Sequence, residues 1–151
     1  MDPIKFFKLQ VKNLHKDLKT RYEYKENGYT FTSFKPKFFD LDQWFLDGDE
    51  EPRQNYTLMQ AQQVFANMMD FNCWDELISA PRKQLELMVL LFKDKVTPQE
   101  WREQVIGIEM DNGMGDLTED YIFQKSVYEQ VYMGKDTIMS GTFYYLLYDF
   151  K

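Results

Sequence analysis

The 151-residue chain predicts a single, mainly helical α+β domain, 1–151, with about five helices packed on a small antiparallel hairpin. Three observations carry this. Apolar residues recur at spacings of three and four in one segment after another. An Asn-Gly pair sits between two alternating aromatic runs. Hydrophobic residues make up 44% and charged residues 28%, a globular composition, and the length suits one domain that buries roughly two-thirds of its unfolded surface.

Asp2-Pro3 reads as a helix start, since Asp accepts from orphan amides and Pro suits the first helical position. Ile4, Phe7, Val11, Leu14 and Leu18 then form an apolar stripe over 1–20, with Lys5, Lys8, Lys12, Lys16 and Lys19 in the same rhythm on a neighbouring face. Over 21–35, Asn27-Gly28 between Tyr22/Tyr24 and Tyr29/Phe31 predicts a tight hairpin, stopped by Pro36. Residues 38–52 are aromatic and acidic together, and read as a short helix or strand leading into a solvated loop.

A helix-turn-helix-like packing module follows over 56–80. Thr57 is a helix N-cap, with Leu58, Ala61, Phe65 and Met68 on the buried face. Asp70-Phe71-Asn72 breaks that helix, and Asn72 caps a short second one carrying Trp74, Leu77 and Ile78. Phe65, Phe71 and Trp74 are expected to share a core, and Leu77 and Trp101 are expected to be structural core residues. The remaining helices fill 81–134. One starts at Pro81 with Leu85, Met88, Val89 and Phe92 inward, and one starts at Thr97-Pro98 with Trp101, Val105 and Ile108 inward. The last starts at Leu117 or Thr118 and ends at Gly134. The aromatic tail, 135–151, reads as a strand joining the hairpin.

The same totals exclude several classes. The longest apolar run, 88–92, is far short of a membrane span, and no signal peptide is visible because lysines interrupt the early apolar stretch. One cysteine, Cys73, excludes an intramolecular disulfide and fits a reducing, cytoplasmic compartment. Net charge is −7, yet residues 1–21 hold six basic against two acidic side chains, a net +4, which leaves −11 for the remainder.

Helical spacing over 56–81 raises the question of a DNA-reading unit. A recognition helix needs basic residues nearby for phosphates, and this stretch has no Lys or Arg, while Asp75 and Glu76 lie on its second helix. Sequence-specific DNA is therefore excluded as the partner by the usual mechanism. The pattern Thr57, Ala61, Ala66, Phe71, Trp74, Leu77 resembles a small helical module of bacterial proteins, some called glyoxalase-related because of neighbouring domains. The blocks PIKFFKLQVKNLHKDLKT (3–20), PKFFDLD (36–42) and LELMVLLF (85–92) resemble a family of small bacterial proteins over about the first 110 residues. Members of that family usually carry Gly where this chain has Asp70. The resemblance implies a helical module and brings no activity, cofactor or catalytic residue.

Enzyme chemistry finds little to stand on. His15 is the only histidine, so a multi-histidine metal site is excluded, and Cys73 has no neighbouring base in sequence. The acidic run 47–51 lacks calcium-loop spacing, and the glycines at 113 and 115 lack the context of a phosphate loop. No catalytic residue, metal ligand or cofactor is assigned.

The positive signals are the lysine stripe with Arg21, which suits a phosphate backbone, an acidic protein or a membrane surface, and the aromatic content of 17%. Tyr22, Tyr24 and Tyr29 beside the stripe suit stacking with RNA bases, although core or sheet packing is the plainer reading. Equally plain is a stripe solvated or paired with Asp40, Asp42 and Asp47. Trp44, Phe45, Tyr144, Tyr145, Tyr148 and Phe150 are candidates for an exposed interface. The expectation is a non-enzymatic cytoplasmic module that binds another protein or itself. An RNA- or ribosome-associated binder is the alternative, and an enzyme of unfamiliar type a third.

Overall fold

The computed structural model describes residues 1–48, 50–113, 115–133, 146–147 and 150. Asp2 caps the first helix, α1 (Pro3–Leu18), its carboxylate accepting from the Ile4 amide at 3.0 Å. Phe6, Phe7, Val11, Leu14 and Leu18 are buried, while the five lysines at 5, 8, 12, 16 and 19 are exposed. At roughly 100° per residue those lysines fall within an arc of about 80°, centred opposite the buried face rather than beside it.

Two strands follow, β1 (Tyr22–Glu26) and β2 (Tyr29–Ser33), paired antiparallel with Tyr24 opposite Phe31 and Glu26 opposite Tyr29. Asn27 (φ 51°) and Gly28 (φ 82°) form the turn, the left-handed pair that lets two strands reverse in two residues. The chain leaving the hairpin is held to the last turn of α1 by an unusual device. Asp17, 2% exposed, accepts the backbone N–H groups of Lys37, Phe38 and Phe39 at 2.9, 2.8 and 2.8 Å. One turn on, the Thr20 hydroxyl accepts the Lys35 amide at 2.8 Å.

The tail meets this same segment. Leu146 forms an antiparallel bridge with Phe39, and the Leu147 N–H donates to the Phe38 carbonyl at 2.8 Å. The expected tail strand is thus placed against 38–39 at these two residues, and the sheet among the described residues is β1 and β2 alone. A hairpin edge offers unpaired backbone groups too, but Phe39 and Leu146 are both fully buried and the hairpin is not. Burial decides the register.

Next is α2 (Leu41–Asp47), the helical one of the two readings for that stretch, capped by Asp40. Then α3 (Leu58–Met68) opens with a reciprocal capping box between Thr57 and Gln60. Leu58, expected inward, is exposed, because the first turn lies beyond the core and only Ala61, Phe65, Ala66 and Met68 reach it. Asp70 ends the helix at φ 66°, and the Phe71 N–H closes onto the Ala66 carbonyl at 2.8 Å. That is the left-handed position where glycine is unstrained. In α4 (Trp74–Ser79) the N-cap is Cys73, not Asn72, and the Glu76 carboxylate reaches back to the Asn72 amide at 3.2 Å.

The longest-range organisation comes from α5 (Arg82–Lys93), which carries apolar residues on two faces. Leu85, Met88 and Phe92 enter a cluster with Phe7, Leu14, Phe39, Phe65 and Leu77, against which Phe71 and Trp74 pack half-buried. Leu87 and Leu91 enter a second cluster with Val96, Trp101, Val105 and Tyr128. Trp101, expected in the core, is buried in this second cluster. This second core is built on α6 (Pro98–Asn112), capped by Thr97, and α7 (Tyr121–Val127).

The last helix starts later than Leu117 or Thr118. Asp116 captures the Thr118 amide at 2.9 Å as a turn, and Asp120 is the cap, accepting from Phe123 at 3.1 Å. It continues as a π-helical turn, Tyr128–Tyr132, in which Val131 is exposed. The expected end at Gly134 lies outside the described residues. Seven α-helices occur among the described residues, against about five expected, and α2 is the one that the sequence left open between helix and strand.

Replacing Asp17 by Asn puts an amide donor among three buried N–H groups, so we expect a loss of about 3 kcal/mol, since a buried donor left unsatisfied costs about 1–3 kcal/mol. Urea unfolding followed by circular dichroism measures it. Lys19→Ala, a turn-end surface change, is the control and is expected to lie within about 0.5 kcal/mol of wild type.

Candidate functional site

Exposed helical lysines arise here because α1 turns every apolar residue of its stripe inward, leaving the opposite arc to solvent. Lys5, Lys8, Lys12, Lys16 and Lys19 occupy that arc with no carboxylate among them, since Asp2 caps the helix and Asp17 is buried. None of the five forms an ion pair among the described residues. Among the described residues none of these five lysines forms an ion pair with Asp40, Asp42 or Asp47. Asp40 caps α2, and Asp42 accepts from the Ser33 hydroxyl at 2.7 Å.

Arg21 behaves differently from the lysines. Its guanidinium donates to Glu23 at 2.9 Å and approaches the Thr32 hydroxyl at 3.4 Å, so it is tied to the hairpin with its side chain 16% exposed. Two cations that the sequence reading did not assign take its place. The bonds from Lys35 to Thr20 and from Lys37 to Asp17 set both exposed lysines at the C-terminal end of α1. Their signal in the sequence was weak, because they lie 15 and 20 residues beyond their helical partners. Over residues 1–37 there are nine basic and four acidic side chains, a net +5, so the rest of the chain carries −12.

The hairpin rings lie next to this end. Strand pairing places Tyr22, Tyr24, Phe31 and Tyr29 on one face, with Glu23, Lys25, Thr30 and Thr32 on the other. All four rings are exposed, Tyr29 by 70%, and Tyr22, Tyr24 and Phe31 pack on one another rather than into the core. Tyr24 stacks on Phe31 with centroids 5.5 Å apart, and Tyr22 lies 6.0 Å from Tyr24. The Lys35 ammonium sits 5.2 Å from the Tyr22 ring centroid. Of the other proposed interface rings, the three among the described residues turn inward. Phe45 stacks on Phe34, Trp44 packs on the first core, and Phe150 meets Phe6 and Phe92. Tyr144, Tyr145 and Tyr148 lie outside the described residues.

His15 is held by the Tyr56 carbonyl, 2.8 Å from Nε2, which makes Nε2 the donor. Cys73 is half-buried at the start of α4. Among the described residues no three His, Cys, Asp or Glu side chains converge on one point. A cavity of about 100 Å³ lies between the end of α3 and helices α5, α6 and α7, with Met88, Leu91, Val105 and Tyr121 in its wall. Ordinary ligand sites are about 300–1,000 Å³, so it admits a few waters or one small apolar group. Part of its polar wall is already engaged. Arg102 pairs with Asp70, and the buried Gln124 accepts from Trp101 at 3.0 Å while donating to the Leu117 carbonyl at 2.6 Å.

Tyr128 lies beneath this wall. It donates to Asp94 at 2.5 Å and takes the edge of Trp101 at 5.3 Å. Burial first, and then the Asp94 carboxylate, push its phenol far above its ordinary value of 10.0, while burial raises Tyr56 and Tyr121 as well.

No protein-family model, no curated protein and no solved structure matches the chain.

The tyrosine shifts fix the sign of an alkaline effect. A phenol whose folded value is raised holds its proton more tightly folded than unfolded, so its contribution is complete below the unfolded value and is lost as pH rises above about 10. Stability measured by urea unfolding is expected to fall above that pH. Tyr128→Phe should flatten the fall while lowering stability by about 1 kcal/mol at neutral pH. An unchanged alkaline slope in the variant would contradict this.

Proposed function

We propose that the protein is a non-enzymatic, cytoplasmic interaction module that binds an anionic partner along the basic face of α1 and its continuation at Lys35. One observation carries the reading: five lysines share a single arc of one helix, without an intervening carboxylate and without an ion pair among the described residues, on a chain of net charge −7. Like charges three and four residues apart destabilise their own helix by about 0.2–0.5 kcal/mol per pair, and an anionic partner relieves that repulsion. The field of such a row also steers an anion toward it over about 10 Å at ordinary ionic strength.

A second reading, binding of another protein or of a second copy, is favoured by the hairpin. Its outer strand edges have no partner strand among the described residues, and its aromatic face is open. Duplex DNA read by α4 has no support, because Asp75 and Glu76 stand in its first turn.

Heparin-agarose, a polyanion without bases, tests the basic face alone. Wild type is expected to be retained at low salt and to elute as salt rises. The variant carrying Lys8→Glu, Lys12→Glu and Lys16→Glu should flow through, and a Lys83→Glu control, altered on α5, should be retained. Flow-through of the wild type at low salt would remove the proposal.

A further inference from the structure

We infer that the anionic partner is single-stranded nucleic acid, its phosphates lying along the lysine row and its bases stacking on the hairpin rings; this rests on the basic-face reading above. The juxtaposition that points to it lies at the C-terminal end of α1. From Lys5 to Lys19 the row runs roughly 20 Å at about 1.5 Å per residue. Lys35 follows beside its last member, where Thr20 holds its backbone, while Lys37 is held at Asp17 on the buried side of the helix. The Lys35 ammonium then sits on the Tyr22 ring, and Tyr22, Tyr24 and Phe31 follow at 6.0 and 5.5 Å. Cations therefore lead directly onto partly exposed aromatic side chains, which is the pairing of groups that binds a strand with free bases.

Other anionic partners use less of this surface. An acidic protein segment needs the lysines but gains nothing from a row of solvent-facing rings. An anionic membrane surface engages the lysine row by charge alone and brings no bases to the rings. A duplex keeps its bases stacked on each other and offers the rings no partner. Lysines act as point charges on phosphate, so the row positions a strand without reading its sequence. Glu26, opposite Tyr29 at the hairpin tip, repels phosphate and limits stacking to Tyr22, Tyr24 and Phe31.

Fluorescence anisotropy with a labelled twelve-nucleotide uridine RNA, a thymidine DNA of the same length, and a duplex of equal length tests the inference. The single strands should bind more tightly than the duplex. With five phosphates engaged, log K should fall with log salt at a slope of about −3.5. Replacing Tyr24 and Phe31 by Ala should weaken single-strand binding about tenfold or more, in keeping with base–aromatic stacking. The Tyr24→Leu, Phe31→Leu variant keeps an apolar cross-strand pair, and should lose binding equally if rings matter and fold matters less. Both variants should stay on heparin. Equal binding of RNA and DNA fits the inference as stated, and tighter binding of RNA assigns RNA as the source. Retention on heparin together with duplex binding as tight as single-strand binding, or with hairpin variants that bind like wild type, would overturn the inference and leave the basic-face proposal standing. Loss of heparin binding by the wild type would overturn both.

Discussion

A carboxylate buried in the last turn of a helix is normally a liability, since the helix carbonyls there already present negative charge. In this protein Asp17 occupies that position at 2% exposure and is compensated by three backbone N–H groups from residues 37–39. Charge-assisted bonds of this kind are about twice as strong as neutral ones, and three of them on one carboxylate leave little freedom to the segment that donates them. The consequence is geometric. The chain leaving the hairpin cannot drift from α1, so Phe39 enters the first core and Leu146 finds its bridge partner there.

Everything presented to solvent at this end depends on that attachment. A two-stranded hairpin is marginal on its own in water, and this one buries neither face. Its position comes from its ends, with Arg21 tied to Glu23 at the entry and Thr20 and Asp17 holding the exit. The lysine row and the ring face are consequently parts of one surface, separated by Lys35. At the other end of the molecule, α5 couples this body to a second core by being apolar on two sides.

Much of the fold was legible because its signals are local. Asp2-Pro3, Thr57 with Gln60, and Thr97-Pro98 are caps that act within one turn, and Asn27-Gly28 acts within one hairpin. Signals that depend on distant partners were not legible. Asp17 looked like one charge among the lysines, because the three amides it accepts lie some twenty residues on. Gln124 carries no local signal for burial, since the groups that satisfy it, Trp101 and the Leu117 carbonyl, lie 23 and 7 residues away. Leu58 suited the periodicity of its helix, yet the core begins one turn later. For the candidate site, the five lysines were readable from spacing. That Arg21 is occupied, that Lys35 follows the row, and that the hairpin rings stay exposed are products of tertiary placement.

Binding, on this account, needs no rearrangement, because the surface is fixed by a buried polar attachment rather than by packing of the hairpin itself. Hydrogen exchange of the Lys37, Phe38 and Phe39 amides, read by NMR as denaturant is added, tests that attachment most directly. The account predicts that these three amides exchange only with global unfolding, at the rate set by the core of α1 and with the same denaturant slope. Exchange as fast as at the hairpin turn, with no dependence on denaturant, would contradict it.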